Sequence, residues 1–97
     1  MNMIAFVSTP VVPEIVQDLL VIMRHKTGAK GEGWNGATTM EQAGIDSLEL
    51  TELILDAEDK YRIKVNFKRT RSYQELATVE DLARLVQATM RKDGIAK

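Results

Sequence analysis

The reactive side chain that this sequence places with most purpose is a serine. Ser47 lies in AGIDSLEL, residues 43–50, between Asp46 and the pair Leu48 and Glu49. A glycine-containing loop ends there and an acidic stretch with regularly spaced aliphatic residues begins. A serine at such a corner can cap the helix that follows, or it can carry a covalently attached group into solvent. The second use suits a phosphate ester, because the unpaired N–H groups and the dipole at a helix N-terminus favour an anion. A serine nucleophile would need a base beside it. The chain has one histidine, His25, and no cysteine, so Ser–His and Cys–His arrangements have little support. His25 is read instead as a residue placed favourably against the negative pole of the first helix near its end. The DxDxDG spacing of a calcium loop is absent, as are GxxxxGK[ST] and a strand–GxGxxG–helix unit. These observations predict a chain that is not an enzyme and holds no metal.

The elements around Ser47 follow from periodicity. Ile15, Val16, Leu19, Leu20, Ile22 and Met23 recur at helical spacing and predict a first helix over residues 13–25, with Pro13 suited to its opening position. Residues 27–44 are predicted as a long loop with glycines at 28, 31, 33, 36 and 44; loops of that length are commonly functional. Trp34 within it is read as a ring packed onto the bundle. A second helix is predicted over 46–61. Leu50, Leu53, Ile54, Ala57 and Tyr61 form its inner stripe, and Glu49, Glu52, Asp56 and Asp59 lie outside with Leu48 and Leu55. Asp46 and Glu49 have capping-box spacing. From Asp46 to Asp59 there are six acids and no base.

The balance then reverses, with Lys60, Arg62, Lys64, Lys68, Arg69 and Arg71 and no acid through Gln74. Ile63, Val65 and Phe67 alternate, and with no second strand to pair they predict an extended connector that buries alternate residues. Ser72 and Glu75 have capping-box spacing and predict a short helical turn ending near Ala77; Thr78 and Asp81 repeat the spacing ahead of a last helix over 79–91. The expected fold is all-α: a small four-helix bundle of three longer helices and one short one, with the long loop between helices 1 and 2. The 97 residues make one domain, 1–97, with flexible ends at about 1–9 and 92–97. Only 5% of residues are aromatic, which fits aliphatic helix packing better than an aromatic-rich sandwich.

No stretch approaches the ~20 apolar residues of a membrane span, and the start lacks the basic and apolar regions of a signal peptide. A cytoplasmic monomer that is not an integral membrane protein is expected, and the absence of cysteine is compatible with a reducing compartment. The net charge of −1 and the sparse aromatic interleaving of the basic run argue against a nucleic-acid partner.

The stretch EQAGIDSLELTELILDAEDKY resembles the acyl carrier protein family. The family's loop ends in acid–x–x–Gly–x–Asp–Ser–Leu, matched in order by Glu41, Gly44, Asp46, Ser47 and Leu48, and Thr78–Val79 opens the last helix as expected. The resemblance covers residues 10–91. It implies 4′-phosphopantetheine, donated by coenzyme A through a phosphopantetheinyl transferase and bound covalently at Ser47. Its thiol would hold acyl groups as thioesters for acyl-loading, elongating or acyl-transferring enzymes of fatty acid, lipid or polyketide biosynthesis. By the same resemblance Asp46, Leu48, Glu49, Glu52, Leu55 and Asp56 would form the partner-docking surface, and Leu50, Ile54, Val79 and Leu82 would shelter the acyl chain. The stretch lacks the Gly-Gly that often precedes the serine of peptidyl carriers. Near-neutral charge, the basic run 60–71 and a lengthened segment before Thr78 depart from the family pattern and point to a specialised member. The competing expectation is an unmodified helical adaptor that binds partners through the acidic helix 46–61; in that case Ser47→Ala would leave partner binding intact.

Overall fold

A computed structural model of the chain describes residues 10–28, 31–65 and 76–96, with side chains through residue 91. Three helices order these residues: α1 (Val12–Thr27), α2 (Ser47–Tyr61) and α3 (Val79–Ala96). Among the described residues there is no strand, only an isolated antiparallel bridge between Thr39 and Thr78.

Each helix exists because an aliphatic stripe needs cover. In α1, Ile15, Val16, Leu19, Leu20 and Met23 are buried; in α2, Leu50, Leu53, Ile54 and Ala57; in α3, Val79, Leu82, Ala83 and Val86. These meet in one core, with α1 packed against both other helices. Trp34 packs onto that core from the segment between α1 and α2, as the sequence predicted. Ile63 and Val65 are also buried while Lys64 between them is exposed, so the start of the connector alternates as expected. Phe67, the rest of the basic run after Val65, and the predicted turn at 72–75 lie outside the described residues. The three-helix part of the predicted all-α architecture is therefore present; the expected short fourth helix falls almost wholly outside the described residues, and Leu76 at its end lies in a 3-10 turn.

The helix ends differ slightly from the periodicity. α1 starts at Val12, one residue before Pro13, and ends on Gly28, whose left-handed φ of 73° lets its N–H reach the Arg24 carbonyl. α3 continues to Ala96 rather than stopping at 91. A glycine inside a helix costs only about 1 kcal/mol relative to alanine, so Gly94 does not by itself terminate an established helix. α2 ends on Arg62, which takes the left-handed conformation normally left to glycine. Glu58 holds that exit from two sides: its carbonyl accepts from Ile63 N, and its carboxylate from Val65 N at 2.7 Å.

α1 and α2 are also joined by a polar contact, the Tyr61 hydroxyl donating to the Asp18 carboxylate. Burial, and then the hydrogen bond and charge of Asp18, push the Tyr61 phenol far above its usual ionisation range. The neutral phenol is thus favoured in the folded chain. Its contribution is complete below about pH 10, where an unfolded tyrosine stays protonated, and is lost as pH rises beyond. Denaturant titrations of wild type and Tyr61→Phe should differ by about 1 kcal/mol at neutral pH. That difference should shrink steadily above pH 10; a gap that holds constant to pH 12 would exclude this account.

Candidate functional site

The corner bearing Ser47 is assembled by the segment that precedes it. Thr39 and Gln42 bond reciprocally, each backbone N–H to the other's side-chain oxygen at 2.9 Å. This tightens a turn that buries Met40 and Ala43. Gly44 takes a φ of 74°, a conformation that strains any residue with a β-carbon. The chain can then redirect so that Ile45 drops into the core, 6% exposed, with its N–H on the Met40 carbonyl. Ile45 before the corner and Leu50 after it anchor Asp46 and Ser47 at the surface.

The same segment is tied to α3. Met40 N donates to Ala77 O, Val79 N to Thr38 O, and Glu80 N to Gly36 O. The first amides of α3, which have no partner within their own helix, are thereby satisfied by the loop. Thr78 and Asp81 complete the predicted capping box with reciprocal 3.1 Å bonds.

Asp46 is the N-cap of α2. Its carboxylate accepts from Glu49 N at 2.8 Å, and the Glu49 carboxylate accepts from Asp46 N at 3.1 Å. The capping role open to Ser47 is thus taken by Asp46. The cap is filled by its neighbour, so Ser47 stands at the first helical position, exposed, with its hydroxyl unbonded among the described residues. Beside it opens a shallow groove of about 350 Å³ lined by Met40, Ile45, Leu50, Leu76 and Ala77, with Thr39, Glu41 and Asp46 at its polar side. Of the four residues expected to shelter an acyl chain, only Leu50 borders this groove; Ile54, Val79 and Leu82 are closed into the core.

A family model described as a phosphopantetheine attachment site matches residues 17–86, a span that holds Ser47, its loop and all of α2. The chain belongs to this family of acyl carrier domains. Acyl carrier protein 4, chloroplastic, of Cuphea lanceolata is 30% identical over 91 residues, covering 93% of this chain and 63% of that protein. Acyl carrier protein 1, chloroplastic, of the same plant is 29% identical over 89 residues, covering 91% and 61%. The chain thus spans less than two thirds of the length of either relative. As a member it is a carrier domain and not an enzyme, and the group such domains carry is covalent 4′-phosphopantetheine. The corner fits that group: a primary hydroxyl with no hydrogen bond among the described residues, at a helix start where the N–H groups of Ser47 and Leu48 have no partner within their own helix and favour a phosphodiester. Among the described residues, no cluster of three or more acids and histidines could hold a metal, and no helix is long and apolar enough to cross a membrane.

The residues expected to meet partners are divided by the structure. Leu48 and Leu55 are 69% and 53% exposed, and seven positions along a helix place them on one face, about 10 Å apart. Glu52 lies between them on that face. Asp46 and Glu49 are engaged in the capping box. Glu52 and Asp56 are met by Lys26 from the last turn of α1, at 3.7 and 3.0 Å. Hydrogen bonding to Asp56 first, against an opposing effect of burial, and then the charges of both acids hold the Lys26 ammonium above its ordinary value. Lys26, Glu58 and Asp18 carry no local pattern that marks these roles. Each acts on a residue outside its own helical turn, so periodicity could not reveal it.

Proposed function

We propose that the chain carries acyl intermediates as thioesters on a 4′-phosphopantetheine arm joined by a phosphodiester to Ser47 Oγ. We place the docking of partner enzymes on Leu48, Glu52, Leu55 and Asp56, with Asp46 and Glu49 at the end nearest the arm. The observation that carries this reading is the capping box, which leaves the Ser47 hydroxyl exposed with nothing else to do. The arm supplies a terminal thiol, the sulfur that a chain without cysteine lacks. The chain's own residues hold the attachment point at the surface, offer an apolar groove beside it, and present two leucines within an acidic face. Exposed charges speed encounter while apolar anchors set the pose, which suits a carrier that must leave each partner quickly.

The names of the two relatives favour acyl over aminoacyl cargo, and the same reading gives the carrier a place in fatty acid, lipid or polyketide synthesis. The carrier is expected to act as a monomer. Its large exposed apolar residues in the described part, Val11, Val21, Leu48 and Leu55, supply far less than the ~800 Å² per partner of a stable interface.

The test is intact mass of the apo chain after incubation with coenzyme A and a broad-specificity phosphopantetheinyl transferase. A gain of one phosphopantetheine is expected, followed by loading from acyl but not aminoacyl donors. An unchanged mass with a transferase that modifies a control carrier overturns the proposal.

A further inference from the structure

The acids on α2 do not all face solvent unpaired. Lys26 lies one residue from the end of α1, where the negative pole of that helix already favours a cation. Its side chain is 20% exposed, whereas those of Glu52 and Asp56 are 50% and 45% exposed. The alkyl stem therefore lies along the protein with the ammonium delivered onto the two acids. The pair is already occupied by the kind of group that a basic partner would present.

We infer that Lys26 is an internal competitor for the docking face, occupying Glu52 and Asp56 so that a partner's lysine or arginine must displace it to engage the distal half of α2. The inference rests on the reading of α2 as the docking face. Its consequence is a graded surface. Near Ser47 the partner meets Leu48 and a capping box whose carboxylates form no salt bridge among the described residues. One to two turns further along it meets a carboxylate pair whose charge is half cancelled. Basic partners are held more loosely than the sequence of α2 alone would suggest, and release faster. An arginine is the better displacing group, because its planar fork can bond a carboxylate at two points where the ammonium offers a single charge.

The experiment has two arms. In the first, a hexa-arginine peptide amide is titrated into the wild-type chain at low ionic strength, with binding followed by backbone amide shifts of α2. Lys26→Met, and Lys26→Gln as a second neutral variant, should bind about three- to fivefold more tightly. Lys26→Arg, which keeps the charge and can bond the carboxylates at two points, should bind no more tightly than wild type. The gain should vanish in a Glu52→Gln/Asp56→Asn background and fade as salt shortens the screening length. Arg91→Gln removes one positive charge from the exposed surface of α3 and should change little. Unchanged or weaker binding by both neutral Lys26 variants, with thermal melts showing them folded, overturns the inference; so does an equal gain from Arg91→Gln. In the second arm the transferase reaction is run on the same proteins, and the KM for the carrier should fall in the neutral Lys26 variants. A wild-type chain that gains no phosphopantetheine would sink the carrier reading, whereas the peptide arm decides the role of Lys26 without it.

Discussion

Ser47→Ala is expected to abolish phosphopantetheine attachment completely while leaving the stability of the fold within about 0.5 kcal/mol of wild type. The separation follows from which residue caps α2. Were Ser47 the cap, its loss would cost helix stability, and a failure to be modified would be ambiguous. Because Asp46 and Glu49 close the cap between themselves, alanine at 47 removes only an exposed hydroxyl with no bond among the described residues. Asp46→Ala provides the contrast. It should cost about 1 kcal/mol through loss of the cap and slow modification without preventing it, since the hydroxyl remains. Intact mass and urea denaturation on the same three proteins give both readouts. Full modification of Ser47→Ala would move the attachment point elsewhere; a large loss of stability would return Ser47 to a structural role.

The second large effect is expected at Leu53, the midpoint of the inner stripe of α2. Its side chain is fully buried in the core that α1, α2 and α3 share. Leu53→Ala should cost about 2–5 kcal/mol, the lost transfer energy plus the cavity left behind. A domain of this size commonly has ~5–15 kcal/mol in total, so the loss is a large fraction, and the melting temperature should fall by roughly 10 °C or more. Val21→Ala removes an aliphatic side chain that is 57% exposed on α1 and should stay within about 0.5 kcal/mol. Modification of Leu53→Ala should track its folded fraction, since the hydroxyl itself is untouched. A Leu53→Ala protein as stable as wild type would mean that α2 does not lean on the core as its burial indicates.

These two substitutions lie six positions apart on one helix and mark its two faces, and both faces are legible in the chain. Leu50, Leu53, Ile54 and Ala57 recur at the period that places them on one side, and that side is buried. Leu48 and Leu55 break the period and are exposed. The spacing from Asp46 to Glu49 and from Thr78 to Asp81 announces caps that form as expected, because a capping box is a local contact within one turn. The boundary of α3 was less legible, since Gly94 weakens a helix without having to end it.

What the sequence determined by itself was everything that nearest neighbours along the chain can decide: the three amphipathic helices, the caps, and a serine at a loop–helix corner within a family motif. Tertiary structure decided what depends on residues brought together from afar. It turned Thr39 and Thr78 toward each other so that the loop before α2 satisfies the start of α3. It placed Asp18 against Tyr61, and above all it set Lys26 of α1 against Glu52 and Asp56 of α2. A count of charges along α2 finds six acids and no base from Asp46 to Asp59, yet the face a partner would meet is already partly neutralised. The reason is physical: a Coulomb interaction falls with distance in space and ignores separation in sequence. The charge of a docking surface is therefore a property of the packed helices and not of any one of them.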